Sequence, residues 1–512
     1  MTRMLLMLIA ASALAATSAA QHHHETPAKE PAAALSLGEI DFPSSGSAEA
    51  RPAFLRGVLL LHSFEYAAAE RAFAEARKID PSFAMAYWGE AMTHNHPIWG
   101  EQDRDAARAV LARLGATAAE RRQAAPTDRE KAYLAAVDIL YGDGDRKERN
   151  AAYSDAMRDL SLRHPGDLDA RAFYALSLIG LTGDVRDTGN YMRAAAIAEE
   201  VYEKNRRHPG ALHYLIHAYD DPVHAPLGLR AARLYATVAP AASHAQHMPS
   251  HIFFALGMWD DAIVSNTASM KTARDQEMGG YHPLYWLEHA YLQVGRNDDA
   301  AKLVQIVEND VAKKATGAAR IHLAATRATW LVETRGSGPA SLSQSMSQPV
   351  DTTGITAIVP FAGHDLARGL AALEQKNRDL ALQARADLAR RIETGRAALA
   401  TGGEAVSRLQ TVSPTDVQSA EVMAQALDAA LAFNAGAREE ALRLARKAAE
   451  TEDTLIFEYG PPATVKPAWE LTGELLLAMN RKPEAAEAFR RVHQRYPNRR
   501  LTLEGLRQAE AP

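Results

Sequence analysis

The sequence predicts an all-α protein, an α-solenoid of stacked antiparallel helix pairs. Three observations carry this. Alanine and leucine dominate a composition that is 47% hydrophobic and 23% charged, which is ordinary globular material rich in helix formers. Apolar residues recur at helical spacing in nearly every ordered segment, and no run shows the strict alternation of a half-buried strand. Small residues, a phenylalanine and a proline also recur at fixed offsets near both ends of the chain, which is the mark of a repeated unit.

Taken in order, residues 1–20 carry Arg3 as their only charge, then an apolar run from Met4 to about Ala16, then Ser18, Ala19 and Ala20. This pattern is that of a cleavable secretory signal, and the run is shorter than the roughly 20 residues of a spanning helix. The expectation is a secreted or periplasmic protein with no membrane span once the signal is removed. Residues 21–50 are rich in Ala, Pro, Ser and Glu without an apolar period, and are expected to be a mobile mature N-terminus. A first helical array is expected over 51–334. The Gly, Ser and Pro-rich stretch 335–354, RGSGPASLSQSMSQPVDTTG, is expected either to join two arrays or to lie as a long loop over one, and is taken as the boundary. A second array is expected over 355–512.

Within these arrays the clearest unit is Trp469, Gly473, Ala485, Phe489 and Pro497; a second runs through Gly57, Ala69, Phe73, Ala76 and Pro81. Weaker units end at Pro165 and Pro209, or are marked by Gly257 with Ala262, Gly295 with Ala300, and Gly436 with Ala441. These spacings resemble the 34-residue tetratricopeptide repeat. The resemblance covers most of residues 51–500, with degenerate stretches near 100–150 and 310–420. It implies a right-handed superhelix whose first helices line a concave groove. It also implies a protein or peptide ligand in that groove.

Seven of nineteen histidines fall between His208 and His251. His213 and His217 are four apart, and His244, His247 and His251 are separated by three and four, so each set lies on one stripe of its helix. The repeat register places His244, His247 and His251 at the second, fifth and ninth positions of a first helix. It places His282 and His289 at the second and ninth of the next, and His213 at the second of the one before. Three adjacent inner helices, roughly 8–10 Å apart, thus present histidine to one wall. With no cysteine in the chain, a metal would be held by nitrogen and oxygen, and neutral imidazole suits zinc, copper or iron. The candidate ligands to a divalent transition metal are His213, His217, His247, His251 and His289, flanked by His244 and His282. The bland alternative is a wall of packed histidines that, with Tyr214, Phe253 and Trp286, binds a peptide without metal.

Asp220, Asp221 and His224 follow the first of these helices, as an oxygen ligand, as partners that fix an imidazole tautomer, or as a turn cap. Glu288 is a speculative general base, whereas His62, Glu90, His94 and His96 are weaker candidates. His164 and His208 each precede Pro-Gly and read as turn residues. His22, His23 and His24 sit at the expected mature terminus. The loop from Phe457 to Trp469, with Lys466, either borders the groove or joins two repeats. Net charge is −6 and becomes −7 without Arg3, which disfavours nucleic acid. There is no HExxH, phosphate loop, GxSxG or nucleophilic cysteine, so the sequence does not decide whether the protein is an enzyme.

Overall fold

A computed structural model describes residues 36–181, 186–337, 340–401, 412–456 and 459–511. The expected secretory signal and the His22–His24 run lie outside these residues. The described chain is helix after helix, joined in antiparallel pairs such as Arg51–His62 with Tyr66–Ile79, Pro209–Tyr219 with Ala225–Val238, and Ala468–Ala478 with Lys482–Arg495. The exception is a two-residue antiparallel ladder, Asn95–His96 against Glu101–Gln102. It closes over Pro97 and Gly100, the latter at φ +62°.

Close contacts explain the repeat markers. Phe73 is fully buried, and a Cβ added at Gly57 would stand 2.6 Å from its ring, one at Gly89 only 2.3 Å. The same ring therefore fills the gap between its own pair and the next, and both facing positions accept no side chain. Phe489 repeats this with Gly473 and Gly505, at 2.7 and 2.3 Å. The tetratricopeptide-like packing inferred from the markers at the two ends is thus realised at both.

The interior divides into two large clusters. One runs from Leu37 to Ala290 and the other from Leu284 to Leu475, so they meet within the Tyr281–Gln293 helix. No core boundary falls at 335–354 among the described residues. That stretch contains a short helix, Ala340–Met346, and Met346 and Val350 belong to the second core. Its backbone carbonyls are held from beneath by His364 Nε2 to Met346 at 2.7 Å and Arg368 Nε to Ser347 at 2.8 Å. The described residues from Met346 to Val350 are thus packed against the second array.

Residues 36–50 correct the expectation of a mobile terminus through residue 50. Leu37 and Phe42 are buried, the Glu39 amide donates to the Arg207 carbonyl at 2.9 Å, and the Ser45 amide and hydroxyl both donate to Glu130 at 2.8 Å. Two apolar anchors without a period suffice because the helical array supplies the surface they bury against.

The C-terminal end folds back onto the middle of the chain. Trp259 Nε1 donates to the Asn498 carbonyl at 2.9 Å, and Arg500 Nε to the Leu292 carbonyl at 2.9 Å. A buried ion network fastens this end: Arg499 pairs with Glu470 at 2.8 Å and with Glu333, while Lys466 pairs with Glu470 at 2.9 Å and Glu474 at 2.7 Å.

Candidate metal centre

Three inner helices bring the histidines together. Pro209–Tyr219 starts on Pro209, with the Ala211 amide donating to His208 Nδ1 at 3.2 Å, and stops at Asp220. All its residues are buried, which is why it is apolar around its whole circumference except at its histidines. The next inner helix is broken: Ser243–His247 and Pro249–Ala255 are separate helices, because Pro249 has no amide to continue the ladder. Tyr281–Gln293 is the third.

The histidines fall into two triads. In the first, His213 Nε2 stands 3.1 Å from both His217 Nε2 and His244 Nε2. In the second, His247 Nε2 stands 3.1 Å from His251 Nε2, with His282 completing the group. In each triad the three ligand atoms lie within 4.8 Å of one another. Each triad is thus an i,i+4 pair from one inner helix region and a single histidine from the start of the next. His282 is exposed and His244 half-buried, while the other four are buried, so one member of each triad faces solvent.

Outer contacts decide which ring nitrogen carries the proton. His213 Nδ1 is 2.7 Å from the His62 carbonyl and His251 Nδ1 is 2.5 Å from Asp220 Oδ2, both acceptors only. His247 Nδ1 is 2.7 Å from Asn266 Oδ1, and the Asn266 amide is oriented by its own Nδ2 donating to the Ala262 carbonyl at 3.0 Å. In its neutral form each of these three rings donates from Nδ1 and leaves a bare lone pair on Nε2. His247 and His251 therefore point two lone pairs at each other across 3.1 Å. Burial holds His213, His217, His244 and His247 well below the usual histidine range, and each is pushed further the same way by neighbouring imidazoles. Their nitrogens are available as ligands at neutral pH. Two nitrogens bound tetrahedrally to one ion at 2.0–2.1 Å stand about 3.3 Å apart, close to the spacing found.

Aromatic rings wall the site. Phe64, at φ +55°, lies 4.3 Å from His213 and 5.6 Å from His244 between ring centres. Trp286 lies 4.5 Å from His251 and 4.8 Å from His247. Tyr459 lies 4.9 Å from His251, and Gly460 presses so closely that a Cβ there would meet Trp286 at 2.3 Å. The loop carrying Tyr459 and Lys466 therefore borders the groove.

Several sequence expectations change. His289 joins neither triad: it packs 5.6 Å from Phe254 and 5.8 Å from Trp259, near Arg499 and Glu470. His244 and His282, expected as flanking, are full members. The single stripe of His244, His247 and His251 is shared between triads: His244 Nε2 meets His213 Nε2 at 3.1 Å, while His247 Nε2 meets His251 Nε2 at the same distance across the break at Pro249. Glu288 is buried, raised well above the usual carboxylate range by burial and then by Glu333, and belongs to neither triad. Glu90 is engaged by Arg77 at 2.8 Å and Arg113 at 3.2 Å. Asp221 accepts from His224 and Arg186, whereas Asp220 is the tautomer-fixing partner.

His62 forms a third cluster with Asp169 and His208. His62 Nε2 lies 3.0 Å from Asp169 Oδ1, and its Nδ1 lies 2.9 Å from the Tyr214 hydroxyl. His208 already accepts on Nδ1, so its proton sits on Nε2, facing Asp169 at 3.5 Å. Burial pushes His62 down to about 4 against the hydrogen bond it donates to Asp169. Protons point inward here, so this is a hydrogen-bonded brace beneath His213, whose partner is the His62 carbonyl. The sequence signal for the two triads was a duplication: His213 and His247 are 34 residues apart, as are His217 and His251, one repeat length.

No protein-family model matches the chain, and no curated protein matches it. Among solved structures, the human IFIT1 dimer with m7Gppp-AAAA is similar at 12% identity and a TM-score of 0.37, covering 92% of this chain and 90% of that one. Yeast Tom70 is similar at 12% identity and 0.34, covering 90% and 95%. The P58(IPK) TPR domain is similar at 12% identity and 0.20, covering 90% and 98%. Likeness this distant says nothing about a shared ligand.

Proposed function

We propose that this chain binds a divalent transition metal through the imidazole Nε2 atoms of its inner helices. The observation that carries the reading is the facing pair His247 and His251. Both rings have their Nδ1 committed to an acceptor, both are buried, and their Nε2 lone pairs meet at 3.1 Å. Two such lone pairs repel unless a cation lies between them. An all-imidazole donor set suits zinc, copper or iron, and three ligands leave a position for water or an oxygen ligand.

The peptide-groove alternative is less well supported at this wall, since Tyr459 and Gly460 already lie against His251 and Trp286. No helix of the described residues is long and apolar enough to cross a membrane. With the Arg3, apolar and small-residue pattern, we place the protein outside the cytoplasm after loss of about twenty residues. Recovery of an intact Met1 from the native cell, by mass spectrometry, refutes that placement.

Elemental analysis tests the metal reading. The purified protein is expected to contain metal that His247→Ala or His251→Ala reduces, with the helical circular dichroism unchanged. Unchanged metal content in both variants, or a wild type that takes up none under any loading condition, overturns it.

A further inference from the structure

The two triads differ from a single shared site in three ways. The His-x3-His pair recurs one repeat apart, first on the unbroken Pro209–Tyr219 helix and then across the break at Pro249, and both pairs hold their Nε2 atoms 3.1 Å apart. Ring centres within a triad are 4.5 to 5.0 Å apart for His213–His217, His213–His244, His247–His251 and His247–His282. Across the seam the gaps widen, to 5.8 Å for His217–His251 and 6.2 Å for His244–His247. Among the described residues the six rings group as three and three, with no set of four meeting the same 4.8 Å limit.

We infer that the wall is a binuclear centre holding two transition-metal ions, one per triad, whose open positions share a bridging oxygen-donor anion such as hydroxide or a carboxylate. The inference rests on the metal-binding reading above. Each ion takes three imidazoles and keeps one exchangeable position, the arrangement of zinc sites that hold water. The ions are neighbours because ring centres of the two triads come within 5.8 and 6.2 Å of each other at two points along the seam. Six neutral ligands carry no charge to offset two divalent ions, and Asp220 reaches His251 rather than a metal, so an added anion is favoured electrostatically. The exposed His282 and half-buried His244 leave that anion a route from solvent.

The cupric ion alone is the probe, added to metal-stripped full chain carrying His22→Ala, His23→Ala and His24→Ala, because that terminal run could chelate copper separately. Two equivalents are expected to bind tightly. His244→Ala and His282→Ala, the least buried member of each triad, are each expected to leave one, with glutamine at the same position where alanine does not fold by circular dichroism. The electron paramagnetic resonance signal of the doubly loaded protein should integrate to well under two spins, and each variant to one. A single equivalent abolished by either variant means one shared ion and overturns the inference while the metal reading stands. Two fully visible, independent spins overturn the bridge. No tight copper at all defeats the metal reading itself.

Discussion

Asp220 shows how one residue commits a site. It ends the Pro209–Tyr219 helix, which carries His213 and His217, yet its carboxylate reaches His251 of the other triad at 2.5 Å. It therefore fixes the second triad's tautomer from the first triad's helix. Partners of this kind typically contribute 10–100-fold to metal affinity. Asp220→Asn is expected to weaken metal binding by about that factor, since the amide can donate to His251 Nδ1 and move the proton to the ligand nitrogen. A competitive chelator titration measures it, and an unchanged affinity with unchanged helicity refutes the role. Asp220 was visible in the sequence as a residue after a helix, but its target 31 positions away was not, because nothing local specifies which ring a terminal carboxylate meets.

Helices supply the registration. Phe73 is gripped by Gly57 and Gly89 and fully buried, so Phe73→Ala is expected to cost about 3–5 kcal/mol, the range for deleting a buried aromatic. The loss should appear as an earlier unfolding transition by circular dichroism in denaturant, with metal content per folded chain unchanged. A cost below about 1 kcal/mol would mean that the pairs do not depend on this ring. At this scale the spacing of Gly, Ala and Phe was legible because each marker reports a close approach that only those sizes allow. The histidine stripe was the exception. The i,i+3,i+7 spacing of His244, His247 and His251 reads as one stripe, but His244 Nε2 meets His213 on the preceding inner helix at 3.1 Å. His244 consequently belongs to the preceding pair, and the stripe is split between two triads.

Over the whole molecule, the sequence by itself determined the helical solenoid, the inner helices that carry histidine, and the exclusion of thiolate from any ligand set. These are local properties: periodicity, size at a fixed offset and residue type survive in a linear reading. Only the tertiary structure decided that residues 36–50 pack rather than wander, that Met346 and Val350 join the second core, and that His289 stands apart beside Arg499 and Glu470. It alone brought Tyr459 onto His251 through the return of the C-terminal end, which Arg499 and Lys466 fasten in a buried network. The division of six histidines into threes belongs to the same class, because small differences in helix position decide which ligand atoms fall within 4.8 Å of one another. Such differences are set by packing between distant segments, and spacing along the chain carries no record of them.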